Sequence, residues 1–148
     1  MKKVIIIGAG PAGLMAACKA SEMGKSVTVI EKMPRPARKL MITGKGRCNV
    51  TNNADLDTLI NSMTKNARFL YSAFSCFTTA DTMEFFQKAG VPLKTERGNR
   101  VFPVSDKSVD IVDGIVNTSK KLGAKFINDT VILKNSKKND RKYIRINI

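Results

Sequence analysis

Three glycines, Gly8, Gly10 and Gly13, stand in the run VIIIGAGPAG from Val4 to Gly13, at the spacing that lets a backbone turn hold a diphosphate. Each has its own task. Gly8 lets the chain turn tightly off a preceding strand, Gly10 offers no side chain to keep phosphates away, and Gly13 lets a helix lie close to the strand. Pro11 suits the first helical turn, where its missing N–H costs nothing. The unpaired N–H groups at a helix start carry a partial positive charge and attract anions. Gly8, Ala9, Gly10, Pro11, Ala12 and Gly13 are therefore the candidate diphosphate turn. Glu31, 18 residues beyond Gly13, is placed to accept a hydrogen bond from a ribose hydroxyl, and its charge disfavours a 2′-phosphate. A Walker loop does not fit, because Leu14 stands where Gly-Lys-Ser/Thr would be needed. Gly24-Lys25-Ser26 imitates that ending, but Lys19 occupies the position of the first glycine.

The glycines alone do not separate NAD from FAD. The following segment does more, since Lys32 to Ala54 carries six cations (Lys32, Arg35, Arg38, Lys39, Lys45, Arg47) and no acid. Gly44 and Gly46 allow close backbone approach, while Thr43, Asn49, Thr51 and Asn52 supply neutral hydrogen-bonding groups. Such a loop suits a dianionic pyrophosphate together with the polar ribityl chain and ring edge of a flavin. The same composition also describes a flexible basic surface loop.

These residues need elements to place them. Val4 to Ile7 is a β-branched run of the kind buried in a parallel sheet. Leu14 to Met23 reads as a helix ended by Gly24, and Ser26 to Ile30 as a second strand that delivers Glu31 at its end. A βαβ unit thus spans residues 3 to 31. A long loop runs from Pro34 to about Asn53. Helices follow over Asp55 to Met63, Ala67 to Phe77, and Asp81 to Ala89 with Thr79 as cap. Leu93 to Arg97 and Arg100 to Val104 flank Gly98-Asn99, a two-residue hairpin signal. Ser105-Asp106 caps a helix from Val109 to Leu122 on the spacing of Val109, Val112, Ile115, Val116 and Leu122. Lys125 to Ile127, Thr130 to Leu133 and Tyr143 to Ile148 read as strands, with a polar turn at Asn135 to Asp140. The organisation expected is a nucleotide unit (1–31), a basic Gly-rich loop (32–53), a mainly helical part with a hairpin (54–122) and closing strands (123–148).

Composition limits the chemistry. At 148 residues with 43% hydrophobic content, the chain can bury a real core. It has no histidine, so the commonest general base and metal ligand are absent and a cofactor is the natural source of chemistry. No residue stands out as a catalytic acid or base. Cys18, Cys48 and Cys76 are odd in number and lack CxxC spacing, which argues against a disulfide framework or a zinc site. Cys18 and Cys76, both on helices, are expected in the core. The net charge of +14 raises nucleic acid as a partner, but 18 of the 26 cations are lysines spread along the whole chain, as on a solvated surface. No apolar run approaches membrane-spanning length. The apolar start breaks at once into the glycine motif, unlike a signal peptide, so a cytoplasmic protein is expected.

ARKLMITGKGRCNVTN (Ala37 to Asn52), with the fingerprint before it and ERGNRVFPVSDKSVDIV (Glu96 to Val112) after it, closely resembles a bacterial family of FAD-binding flavoproteins. Its members are described as aminoacetone oxidase-like or NAD(P)/FAD-dependent oxidoreductases. The resemblance spans essentially the whole chain. It departs at Lys45 and Asn99, where the family commonly has glycine. It implies a Rossmann-like α/β fold of glutathione-reductase type: a parallel sheet with helices, plus a hairpin or meander. FAD would lie extended across it. Gly8, Gly10 and Gly13 would contact the pyrophosphate and Glu31 the adenosine ribose. Lys39, Thr43, Gly44, Cys48 and Asn49 would lie along the flavin half, and Val131 would meet the adenine through its backbone. Lys32, Arg38, Gly46 and Arg47 complete the candidate cofactor set. Cys48 has no neighbouring thiol, so packing or backbone positioning is its expected role. Arg97 and Arg100 are expected to pair with Glu96 and Asp106.

In the same family a strand ending in Ala-Thr-Gly-Gly follows soon after the position of Ile148, with a substrate domain beyond. The alternating strand that closes the chain at Ile148 would leave an open pairing edge, so a truncated N-terminal portion is expected, its missing partner being the rest of its own parent chain. The functional expectation is two-electron or hydride transfer through FAD on a small-molecule substrate, with NAD(P)H as a possible electron donor. The alternatives are an FAD-dependent tRNA-modifying flavoprotein and the nucleotide domain of an NAD-dependent dehydrogenase.

Overall fold

The computed structural model describes residues 2–132 and the backbone of residues 142–144. The chain divides into two compact units, Met1–Leu40 with Ile115–Ile148, and Met41–Gly114.

The first unit opens with β1 (Lys3–Ile7), α1 (Pro11–Glu22) and β2 (Ser26–Ile30), the βαβ arrangement expected from the sequence. Its β-branched strands pair in parallel, from Lys3 opposite Ser26 to Ile7 opposite Ile30. Helix α1 starts at Pro11 rather than Leu14, so the fingerprint itself forms its first turn. It ends at Met23, where Gly24 at φ +70° takes the left-handed step and its N–H reaches Ser21 O at 2.9 Å. Leu14, Ala17 and Cys18 of α1 are buried, as are Val27, Val29 and Ile30 of β2. The leucine, valine and isoleucine side chains among them each contribute about 1.5–3 kcal/mol relative to exposure. β6 (Lys125–Ile127) joins the other side of β2 in parallel, so β2 is the middle strand of the order β1-β2-β6. β1 corrects the expectation of a buried strand: it lies at the end of that order, none of its residues is buried, and Ile5 and Ile7 are 53% and 67% exposed. β7 (Thr130–Ile132) pairs in parallel with β8 (Lys142–Ile144), with Val131 opposite Tyr143. Leu133, the expected polar turn at Asn135 to Asp140, and residues 145–148 lie outside the described residues.

The segment read as one long loop is partly ordered. It holds α2 (Arg38–Met41), a 3-10 turn (Thr43–Gly46) and the two-residue strand β3 (Thr51–Asn52). The second unit continues with α3 (Leu56–Asn61), α4 (Ala67–Cys76), α5 (Thr79–Lys88), β4 (Leu93–Glu96), β5 (Arg100–Pro103) and the start of α6 (Ser108–Lys121). β3, β5 and β4 form an antiparallel sheet in that order. The core of this unit includes Phe86, Val91, Val101, Phe102, Ile111 and Val112. Gly114 is mid-helix because a Cβ there would lie 2.7 Å from Val91 Cγ2.

Four sequence expectations are corrected in this unit. Helix α5 is capped by Thr78, not Thr79. Thr78 Oγ1 accepts from Asp81 N while Asp81 Oδ2 accepts from Thr78 N, and Thr79 Oγ1 instead donates to Ala54 O at 3.0 Å. The hairpin pairs Glu96 with Arg100, which makes its loop three residues long, with Gly98 and Asn99 both at positive φ. Helix α6 begins at Ser108 rather than Val109; before it the Asp106 carboxylate pairs with Arg47 and Lys94, and Ser105 Oγ accepts from Lys107 N at 3.3 Å. Cys76 is exposed, on a helix with no buried residue, whereas Cys18 is buried as expected.

Candidate functional site

In the first unit the glycine turn is built as its spacing implies. Gly8 has φ +94°, and its N–H donates to Ile30 O at 2.7 Å, which fixes the turn to the end of β2. Gly13 is required by packing, since a Cβ there would fall 2.1 Å from Gly8 O. A Cβ at Gly8 or Gly10 would meet nothing within 4 Å, so the space over the turn is open. Gly10 is the N-cap of α1 in extended conformation. No side chain caps the helix, and no acid lies in its first turn. The helix start therefore presents N–H groups that neither helix nor side chain satisfies, which an anion can fill.

Glu31 sits beside this turn and is 8% exposed. Its Oε2 accepts from Ala9 N at 2.7 Å and its Oε1 from Met33 N at 2.9 Å. Among the described residues no cation pairs with it. Sequence reasoning placed Glu31 on a ribose and missed this second task, that of fastening the turn. Each carboxylate oxygen keeps a further acceptor site, so a ligand hydroxyl is still accommodated. The turn is also tied forward, because Ala37 N donates to Ala9 O at 2.9 Å. Lys32, Arg38 and Lys39 are exposed cations with no ion-pair partner among the described residues. Val131 lies in β7 and is half-buried.

In the second unit the segment Thr43 to Asn49 is a compact knot of backbone. Gly44 and Lys45 are consecutive left-handed residues (φ/ψ 55°/35° and 56°/40°), with Gly46 at φ 86° and Cys48 at φ 59°. For Lys45 and Cys48 that conformation costs roughly 1–2 kcal/mol each. Arg47 N donates to Gly44 O at 3.2 Å and Cys48 N to Thr43 O at 3.1 Å. A Cβ on Gly44 would stand 3.2 Å from Asn49 N and 3.4 Å from Phe102 Cε1. The Cys48 side chain is fully buried. Burial pushes its thiol up, partly offset by a hydrogen bond with Thr43, so it is a packed thiol rather than a ready nucleophile. With its amide nitrogen turned toward them, Asn49 donates to Thr51 O at 2.9 Å and Val101 O at 3.2 Å. Ser108 Oγ donates to Met41 O at 2.7 Å at the start of the segment.

Arg47 does not extend freely from this loop. Its Nε and Nη2 donate to Asp106 Oδ1 at 2.8 and 2.6 Å, and Nη2 also donates to Glu96 Oε1. Its guanidinium carbon lies 4.2 Å from the centre of the Phe102 ring. Lys94 Nζ completes the cluster, 2.7 Å from Asp106 Oδ2 and 3.5 Å from Glu96 Oε1. Glu96 and Asp106 are thus paired with Arg47 and Lys94, not with Arg97 and Arg100 as expected. Arg100 Nε donates to Arg97 O instead. Hydrogen bonding from Arg47 holds the Glu96 carboxyl below the usual range, and that from Lys94 and then Arg47 does the same for Asp106.

The chain matches the HI0933-like protein Rossmann domain over residues 2–148. It belongs to that family. This is the family of FAD-binding oxidoreductases that the two long motifs resemble, so the resemblance is borne out, as is the Rossmann-like α/β fold with its parallel sheet. Similar curated proteins include a ribosomal RNA dihydrouridine synthase of Haemophilus influenzae, 32% identical over 83% of this chain and 30% of that protein. The protein of that name in Escherichia coli is 32% identical over 82% of this chain and 30% of that protein. A 3-dehydro-bile acid delta(4,6)-reductase of Clostridium scindens is 30% identical over 76% of this chain and 27% of that protein. The matches therefore span under a third of each relative's length. Among solved structures, a 3-ketosteroid-delta4-(5alpha)-dehydrogenase of Rhodococcus jostii shares the fold with a TM-score of 0.63 at 16% identity, over 86% of this chain and 38% of that one. THI4 of Thermovibrio ammonificans does so at 0.58 and 17%, over 91% and 43%. No described helix is long and apolar enough to cross a membrane.

Proposed function

We propose that this chain binds FAD and forms the N-terminal part of a flavin-dependent oxidoreductase. One observation carries the reading: an uncapped helix start beneath an open glycine turn, with a buried carboxylate alongside. The N–H groups of the turn would take the diphosphate, and Glu31 a ribose hydroxyl. Lys39, Thr43, Gly44, Cys48 and Asn49 are the residues the family resemblance gives to the flavin half. Bound FAD would supply two-electron chemistry, and the protein its binding and orientation. NAD(P)H would serve as the electron donor and a small molecule as the substrate. The test is titration with FAD, followed by flavin fluorescence, against a Gly10→Glu variant that puts a carboxylate into the open space. Saturable quenching in the native chain and its loss in the variant support the reading. Tighter binding of NADH than FAD would overturn it in favour of a dehydrogenase domain.

A second reading, an RNA substrate for the longer protein, is favoured by two observations. The chain carries a net charge of +14, and two relatives are named for ribosomal RNA. Phosphate contacts would make such binding fall steeply with salt. A gel shift with ribosomal RNA fragments at rising salt tests it, and no shift even at low salt removes it.

A further inference from the structure

The sequence offers Arg47 as a cation for an anionic ligand, but the structure gives its guanidinium other work. Nε and Nη2 are taken by Asp106 and Glu96, and the guanidinium carbon stands 4.2 Å over the centre of the ring of Phe102, itself 4% exposed. The same ring reaches to within 3.4 Å of where a Gly44 side chain would begin. Arg47 therefore joins three stretches far apart in sequence: the Thr43–Asn49 knot, strand β4 through Glu96, and the Asp106 turn. Asp106 is itself left-handed at φ 58°, a conformation that bonds from Arg47 and Lys94 help to hold. The charges of Arg47 and Lys94 are balanced within the cluster by two carboxylates, while Arg100 stands outside it, 5.9 Å over the same Phe102 ring. A lone half-exposed ion pair is worth little, whereas a multiply bonded arginine in a network with a covered aromatic face is a different case.

We infer that Arg47 is a positioning residue, which fixes the left-handed Gly44–Cys48 backbone through Glu96, Asp106 and Phe102 without touching the cofactor. Its consequence for FAD rests on the function proposed above, but its effect on the loop does not. Cys48 provides the readout, because it is fully buried one residue from Arg47 while Cys76 on α4 is exposed. Alkylation with iodoacetamide, mapped by peptide mass, reports loop opening at Cys48 and reagent supply at Cys76 in the same sample, with no ligand present.

In the native chain Cys76 is modified and Cys48 is protected. In Arg47→Gln, Cys48 is expected to react about tenfold faster or more, because its protection depends on local closure. Arg47→Lys should fall between, since an ammonium cannot bond both carboxylates with a planar fork. Glu96→Gln, which leaves the Asp106 contacts in place, should raise the rate only a few fold and serves if the Arg47 variants do not fold. FAD affinity should weaken in the same rank order. Unchanged Cys48 protection in Arg47→Gln overturns the inference. If protection is unchanged while FAD affinity collapses, Arg47 is a direct ligand contact instead. If the native chain binds no FAD, the functional proposal fails, and the Cys48 rates still decide the role of Arg47.

Discussion

Glu31 Oε2 lies 2.7 Å from the backbone nitrogen of Ala9, so the acid that ends the second strand holds the turn that ends the first. The two halves of the nucleotide motif are thereby one mechanical object. Glu31→Gln keeps the shape but allows the amide nitrogen to face an N–H. Leaving one buried backbone donor unsatisfied costs about 1–3 kcal/mol. The variant should lose that much stability in urea denaturation and bind FAD about 5- to 150-fold more weakly, by the conversion of 1.4 kcal/mol per decade. Unchanged stability would mean the turn holds itself.

Gly13 is a packing glycine rather than a conformational one. A Cβ 2.1 Å from Gly8 O cannot be relieved by a side-chain rotation, because the obstacle is backbone. Gly13→Ala must push α1 away from β1 or distort the turn, and overpacking of this kind costs about 1–3 kcal/mol or more. Thermal unfolding of Gly13→Ala beside Gly10→Ala separates the two roles. The first should melt well below the native chain, and the second close to it.

The first 31 residues were legible because their signals are local: β-branched runs, a proline and glycines at fixed offsets, and an acid at a strand end. The second unit was legible only in outline. β3 is two residues long and exists because Thr51 and Asn52 meet Val101 and Arg100, a pairing that no local propensity announces. The partners of Arg47 lie 49 and 59 residues away, so the sequence showed a basic loop and two acids without showing that they meet. The apolar letters of α4 point Cys76 into a core, yet that helix has none of its residues buried. Composition reports what a face can cover, not whether anything covers it. The choice of Thr78 over Thr79 as cap turned on one residue of offset, where capping geometry decides and pattern does not.

Cys18 supplies a pH signature. Burial, reinforced by Glu22 and eased by a backbone hydrogen bond, pushes its thiol from 9.0 up to about 11. The fold thus favours the neutral thiol. Its contribution is fully present below about pH 9 and is lost as pH rises through about 11, a span worth about 2–3 kcal/mol. Denaturant unfolding of the native chain and Cys18→Ala, compared from neutral to alkaline pH, should give a stability gap that narrows or reverses above pH 9. A gap constant with pH would mean the thiol ionises as easily folded as unfolded.

Lys45 is a position where the family resemblance implies glycine, and the structure shows what a lysine does there. Its φ of 56° and ψ of 40° are left-handed, and Gly44 before it has the same conformation, so the bend needs two such residues in a row. Glycine adopts this state without a Cβ penalty, while lysine is disfavoured by roughly 1–2 kcal/mol. Glycine also adds freedom to the unfolded chain, which offsets part of that gain by about 0.5–1 kcal/mol. Lys45→Gly should therefore stabilise the chain slightly, by up to about 1 kcal/mol, whereas Lys45→Ala keeps the strain and should not. Chemical denaturation of the two variants side by side checks this. If alanine stabilises as much as glycine, the gain comes from removing a charge in a +14 chain rather than from relieving the backbone.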